Sequence, residues 1–299
     1  GLLYQVVWTR LLTLTFGCTV YAVSAVLTAF MGGLGLGSWA LSRVADRTAR
    51  PLRLYGLLEI GVGVYAAFFP LLLGLVTMAY TGAYRTWGLG FVPLSLLKFG
   101  LALLLLLTPT VLMGGTLPVL SAHFVRSVRG ATRSVAYLYA INTAGAVAGT
   151  LLAGFLLVPA LGLKASLYLA VGLNLLVGLT VLALERRSEA AAEPEPAQSG
   201  SGALAGPPSA RPGAAPSPHP RGDLPRPLDV PIALGIMFFA GLLALAFEVV
   251  WTRSLMLYMG TTNYSFSTML SAVLCGIAVG SMVVGLLADR IRRPLLLLA

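Results

Sequence analysis

The chain has 299 residues, of which 58% are hydrophobic and 10% are charged, and its mean hydropathy is +0.89. Soluble domains carry about a quarter charged residues, so this composition excludes a water-soluble globular protein and predicts an all-α integral membrane protein whose partner is the lipid bilayer. The net charge of +10 does not indicate a nucleic-acid partner, because the arginines stand in short clusters between apolar blocks and form no single basic face.

Long apolar runs predict about nine transmembrane helices, most of them near the 20 residues that cross a bilayer. In chain order they cover residues 1–16, 20–42, 52–78, 91–108, 134–158, 163–184, 231–257, 264–287 and 294 onward. Three regions follow from these runs. Residues 1–184 form a first set of six helices, 185–230 form a linker, and 231–299 begin a second set.

The linker at 185–230 is rich in Pro, Ala, Gly and Ser. Such a composition cannot bury enough apolar area to fold. We therefore expect a disordered cytoplasmic tether, and a binding tail is the alternative.

The basic residues between helices predict the orientation in the membrane. The loops that follow the second, fourth, sixth and eighth helices hold nearly all of them, whereas the opposite loops hold only Arg85 and Lys164. Positive loops face the cytoplasm, so the even-numbered helices are expected to end there. The Ala, Arg, Gly and Pro content favours a bacterium with a GC-rich genome, which places the protein in the inner membrane.

The sequence contains an internal repeat with an offset of 243 positions. Val-Val-Trp-Thr-Arg occurs at 6–10 and again at 249–253, and Ala-Asp-Arg at 45–47 recurs at 288–290. Because six helices precede the second copy, both copies have the same orientation, as in a parallel repeat about an axis along the membrane normal. More apolar residues precede Val-Val-Trp-Thr-Arg in the second copy than in the first. We therefore expect a fragment that lacks the beginning of its first helix and stops within a ninth helix.

Residues 285–293, Gly-Leu-Leu-Ala-Asp-Arg-Ile-Arg-Arg, resemble the cytoplasmic loop motif of the major facilitator superfamily. The first copy, at 42–50, has Ser in place of the leading Gly. The resemblance implies two six-helix bundles and a gating role for charged residues in both loops; the alternative is a charged loop that only sets topology. The gating candidates are Asp46, Arg47, Arg50, Asp289, Arg290 and Arg293.

A closer resemblance is to the membrane part of bacterial fused transporter-like spermidine synthases. It is carried by both Val-Val-Trp-Thr-Arg copies and by the segments at 57–63, 109–118 and 140–149. The resemblance implies that these helices anchor a soluble aminopropyltransferase-type domain and possess a path for a small solute. The chain itself has no Gly-rich nucleotide loop, so no catalytic residue and no cofactor is assigned to it. The alternatives are a free-standing transporter and a purely structural anchor.

Charges inside predicted spans are the candidates for a substrate or coupling site. The best is Glu59, about a third of the way into its helix, with Asn142 and Glu248 in support. For the three bases, reaching out to the headgroups is the alternative reading. Two acids against three bases also disfavour high-affinity binding of a polyamine. The basic candidates are Arg10, Lys98 and Arg253.

Small and helix-breaking residues give two further predictions. Pro109 and Pro118 are expected to break the fourth helix around Met-Gly-Gly-Thr at 113–116. Glycines four apart allow close packing of helices, and such pairs stand at 33 and 37, 145 and 149, and 276 and 280.

The remaining reactive residues are too few for a metal site or a disulfide framework. They are Cys18, Cys275, His123 and His219.

Overall fold

The computed structural model describes residues 1–17, 20–127, 131–192, 229–260 and 262–288, and every regular element in them is a helix. The predicted ninth helix and most of the linker, residues 193–228, lie outside these ranges. In chain order the helices are α1 (Leu2–Phe16), α2 (Val20–Arg47), α3 (Pro51–Trp87), α4 (Phe91–Ser127), α5 (Ala131–Leu151), a π segment (Leu152–Leu157), α6 (Val158–Ala192), α7 (Asp229–Met259) and α8 (Thr262–Ala288).

Within the described ranges, five helical stretches are long and apolar enough to cross a membrane, as a multi-pass membrane protein requires. The stretch Leu138–Arg187 has 50 residues and would extend about 75 Å if straight, against a hydrocarbon core of about 30 Å. Gly162, with φ 79° and ψ 172°, interrupts the helical geometry within it. The interruption separates two segments of spanning length, as the sequence predicts for 134–158 and 163–184.

Helix α3 continues to Trp87, beyond the predicted end at 78. Pro51 occupies its first turn, where the missing N–H costs nothing. Gly88 stops the helix in the left-handed region at φ 54°, and its N–H donates to the carbonyl of Tyr84 at 3.0 Å. The polar residues of the last turns obscured this end in the apolar pattern.

Helix α4 does not break at its two prolines, so the predicted end at 108 is wrong. Pro109 has no N–H for the carbonyl four residues earlier, that of Leu105. The Tyr65 hydroxyl of α3 donates to that carbonyl at 2.8 Å. Helix α3 thus supplies the missing donor, and α4 continues without a break to Ser127.

The two helices α2 and α4 are in close contact through glycine. A Cβ atom on Gly33 would overlap the Thr110 side chain, and one on Gly37 would overlap the backbone carbonyl of Val111. In the opposite direction, a Cβ atom on Gly114 would overlap the carbonyl of Leu34. The packing role predicted for the pair at 33 and 37 is confirmed, and the Gly-Gly pair of α4 serves the same interface.

The other two glycine pairs have no close neighbour in the part of the chain that the structure describes. Nothing among the described residues lies within 4 Å of a Cβ atom built on Gly145, Gly149, Gly276 or Gly280. A spacing of four residues permits close approach but does not select the face that meets a neighbour, and the predicted packing of these pairs is not seen among the described residues.

The largest core forms around α1. The ring of Trp8 stacks on Tyr4 and Phe69, with centroid distances of 5.0 and 4.7 Å. A second cluster joins Val6 of α1 to Phe266 and other residues of α8. Helix α1 therefore lies between the first set of helices and the beginning of the second.

Helix α8 also packs on the π segment. A Cβ atom on Gly154 would overlap the side chain of Ser267, and the rings of Phe155 and Tyr264 stack at 5.4 Å. The widened turn of the π segment thus lies in contact with α8.

Candidate functional site

The carboxylate of Glu59 lies half-buried between α3 and α6. The side-chain amide of Asn174 donates to its Oε2 atom at 2.8 Å. The Tyr55 hydroxyl, one helical turn before Glu59, also reaches the carboxylate. This candidate therefore has polar partners, and they come from its own helix and from α6.

Glycines bring α3 and α6 close enough for this contact. A Cβ atom on Gly178 would overlap Ile60 and the carbonyl of Gly56, and one on Gly63 would meet Leu175 and Asn174. Without side chains at these positions the backbones approach closely. The short side chain of Asn174 can then cross the gap between the helices.

The sequence analysis selected Asn142 and did not single out Asn174, the residue that the structure pairs with Glu59. Asn142 is exposed on α5, whereas its neighbour Thr143 is buried and bonds only to its own helix. The signal for Asn174 was present, since it is the only side-chain amide between residues 163 and 184. A lone amide in an apolar span needs a partner on another helix.

Glu248 on α7 is buried, with 6% of its surface exposed. Its Oε1 atom has no hydrogen-bond partner within the described ranges. Thr252, one turn later, is also buried, but its hydroxyl donates to the Glu248 backbone carbonyl at 2.8 Å. A carboxylate in such a place needs a proton, a cation or a polar ligand, because an unpaired buried charge is strongly unfavourable.

The repeat relates this position to a second buried polar position. An offset of 243 aligns Gln5 with Glu248 and Thr9 with Thr252. All four residues are buried. Both polar side-chain atoms of Gln5 and the hydroxyl oxygen of Thr9 have no partner in the part of the chain that the structure describes. The first helix of each repeat thus carries a buried pair of polar side chains, one helical turn apart.

Within the described ranges, further buried polar atoms without a partner lie on α1 and on α8. On α1 they are the Tyr4 hydroxyl and the Trp8 indole nitrogen, and on α8 they are the hydroxyls of Ser267 and Ser271. Leaving one buried polar atom unpaired costs about 1–3 kcal/mol. Water or a polar solute is the chemical partner that such groups require.

Among the contacts of the described residues, none joins a basic candidate to Glu59 or Glu248. Arg253 is exposed and Arg10 is half-buried. Lys98 donates to the carbonyl of Phe16 at 3.0 Å, at the C-terminal end of α1, and lies 5.0 Å from the ring of Tyr80. Tyr80 stands 21 positions after Glu59 on α3, a separation of about 30 Å. Lys98 therefore caps the C-terminal end of α1.

The loop candidates are only partly described. Asp46, Arg47 and Arg50 are exposed at the turn between α2 and α3. Their repeat equivalents Asp289, Arg290 and Arg293 lie outside the described residues. Among the residues that are described, no three His, Cys, Asp or Glu side chains are grouped closely enough to hold a metal ion.

Comparison with known proteins gives no relative. No family model, no curated protein and no solved structure matches the chain.

Proposed function

We propose that the chain is a membrane domain that binds a small polar solute in its interior and moves it across the bilayer. The equivalent helices α1 and α7 supply the binding groups. The observation that carries the proposal is the pair of repeat-related positions, Gln5 with Thr9 and Glu248 with Thr252, all buried and with unpartnered polar atoms on both helices.

A closed structural anchor would gain nothing from these groups. Replacing buried, unpaired polar atoms by apolar ones of similar shape is close to neutral or stabilising. A protein that only anchors would therefore be as stable with leucine at these positions. A solute path, by contrast, needs polar groups that are free to bind.

The charges define the class of solute. The buried acid with an unpaired oxygen is Glu248, whereas Lys98 is held at the end of α1 and Arg253 is exposed. The described interior therefore suits a neutral polar or singly positive solute. A polyamine with three or four charges would require more acids than Glu59 and Glu248 provide.

The proposed arrangement is a parallel repeat of the major facilitator type. It rests on the 243-residue offset and on the same orientation of both copies. The resemblance to fused spermidine synthases adds a second role, the anchoring of a soluble aminopropyltransferase-type domain beyond these helices.

Cysteine accessibility tests the solute path without knowledge of the solute. Cys18 and Cys275 are first replaced by serine in the full-length protein in vesicles. We expect Gln5→Cys and Glu248→Cys to react with a membrane-impermeant, cationic thiol reagent. Val7→Cys is the matched control on α1, because Val7 is fully buried in the apolar core, and it should stay unmodified.

Absence of labelling at both positions, from either side of the membrane, would reject the path and favour the structural anchor. Where labelling occurs, uptake by reconstituted vesicles identifies the class of solute. The probes are labelled mannitol, ethanolamine and spermidine, which carry none, one and three positive charges. We expect uptake of mannitol or ethanolamine and none of spermidine.

A further inference from the structure

An exposed stripe runs along the last three turns of α2. It consists of Leu36, Trp39, Arg43 and Arg47, hereafter the α2 stripe. Leu36 is 52% exposed and Trp39 is 63% exposed, and both arginines are exposed. At 100° per residue these four side chains fall within about 80° of one another. They form one continuous surface.

The order of side chains along the stripe follows the polarity profile of a phospholipid. An aliphatic residue comes first, then an indole, then two guanidinium groups. The distance from Leu36 to Arg47 is about 16 Å. Indole rings prefer the interface between hydrocarbon and headgroups, so Trp39 marks that level and the arginines lie at the phosphates.

Arg43 is held in place for such a contact. Its guanidinium carbon lies 3.8 Å from the centre of the Trp39 ring, and its Nη1 atom donates to the Trp39 carbonyl at 3.0 Å. A guanidinium has five N–H donors in a planar fork that suits a phosphate group. The stacking fixes the plane, and little conformational entropy is lost when a phosphate binds.

The surrounding charge is complementary to an anion. Four arginines and one aspartate lie between residues 43 and 53, which gives a net charge of +3. Asp46, the one acid, adjoins the stripe and is exposed. The aligned positions of the second copy, Met282 and Leu286, replace Trp39 and Arg43. The two copies of the repeat therefore do not share the stripe, and it is specific to α2.

We propose that the α2 stripe binds an anionic phospholipid of the leaflet beside the α2–α3 turn. The acyl chain lies along Leu36, the glycerol region along Trp39, and the headgroup phosphate against Arg43 and Arg47. The site is separate from the buried polar groups of α1 and α7, since all four residues of the stripe are exposed.

Lipid retention tests the proposal. The full-length protein is purified in phosphatidylcholine and titrated with phosphatidylglycerol, and bound lipid is measured by native mass spectrometry. Arg43→Ala should weaken binding about fivefold, the contribution of one basic residue near an anionic surface. Arg187→Ala is the matched control, because Arg187 is exposed at the end of α6 with Ala183 one turn before it. It should bind like the unmodified protein.

A second measurement locates the lipid. Phosphatidylglycerol with brominated acyl chains should quench Trp39, so the quenchable fluorescence should fall in Trp39→Phe. Equal retention by Arg43→Ala and the unmodified protein would overturn the proposal. Displacement of the lipid by inorganic phosphate alone would also overturn it, because that result would indicate a site for free phosphate.

Discussion

Tyr65 donates its hydroxyl proton to the carbonyl of Leu105 at 2.8 Å, and that carbonyl is the one that Pro109 leaves without a backbone partner. The bond joins α3 to α4 at the place where α4 would otherwise have a gap in its hydrogen bonds. Since lipid tails offer no hydrogen bonds, such a gap needs a polar group from a neighbouring helix or an ordered water. A side chain on one helix thus allows a proline in another.

Removing the Tyr65 hydroxyl should destabilise the protein only while residue 109 is proline. We expect Tyr65→Phe to lower the free energy of unfolding by about 1 kcal/mol. The measurement is denaturation in detergent micelles. In a Pro109→Ala background the restored N–H pairs with Leu105, and the same substitution should cost little. Equal costs in both backgrounds would refute the link.

The Glu59–Asn174 bond should contribute to the association of α3 with α6. We expect Glu59→Leu and Asn174→Leu each to destabilise the protein by about 1 kcal/mol, and Glu59→Gln to have little effect because an amide oxygen still accepts. The double leucine variant should cost no more than either single one. Additive costs in thermal unfolding would count against the pairing.

Glycine should matter at some helix positions and not at others. Gly37→Ala drives a methyl group into the Val111 carbonyl, and such overpacking costs about 1–3 kcal/mol. Gly145→Ala enters open space among the described residues and serves as the control. We expect a lower melting temperature for the first variant and an unchanged or slightly higher one for the second. The opposite ranking would contradict the packing described for α2 and α4.

Lys98 should act on stability and not on the solute path. Lys98→Met loses the bond to the Phe16 carbonyl and the favourable charge at the end of α1, worth about 0.5–1 kcal/mol. The melting temperature should fall, while the thiol reactivity of Glu248→Cys should be unchanged. Loss of that reactivity in the Lys98→Met background would show that Lys98 belongs to the path.

The sequence was informative where a property depends on local composition or on the repeat. Apolar runs predict the all-helical membrane class, and the offset of 243 positions is read from the sequence alone. The sequence was misleading where a distant residue decides the outcome. Pro109 predicts a break unless Tyr65, 40 positions before the acceptor Leu105, supplies a hydrogen bond.

The partner of Glu59 could not be predicted for a related reason. Asn174 lies 115 positions later, and the contact depends on glycines of both helices, Gly63 and Gly178, facing the same seam. A spacing rule identifies small residues but not the face that they occupy, as the open positions at Gly145 and Gly149 illustrate. The face that each glycine occupies becomes known only from the packing of the helices in the structure.

The sandwich of Trp8 between Tyr4 and Phe69 gives the protein an intrinsic optical probe. Three aromatic rings in fixed, near-parallel stacking should produce a strong near-ultraviolet circular dichroism band. The other indoles, at positions 39, 87 and 251, are exposed, so their fluorescence emission depends on the surrounding medium. Loss of the dichroic band therefore reports the departure of α1 from α3, while the emission wavelength separately reports the medium around the outer rings.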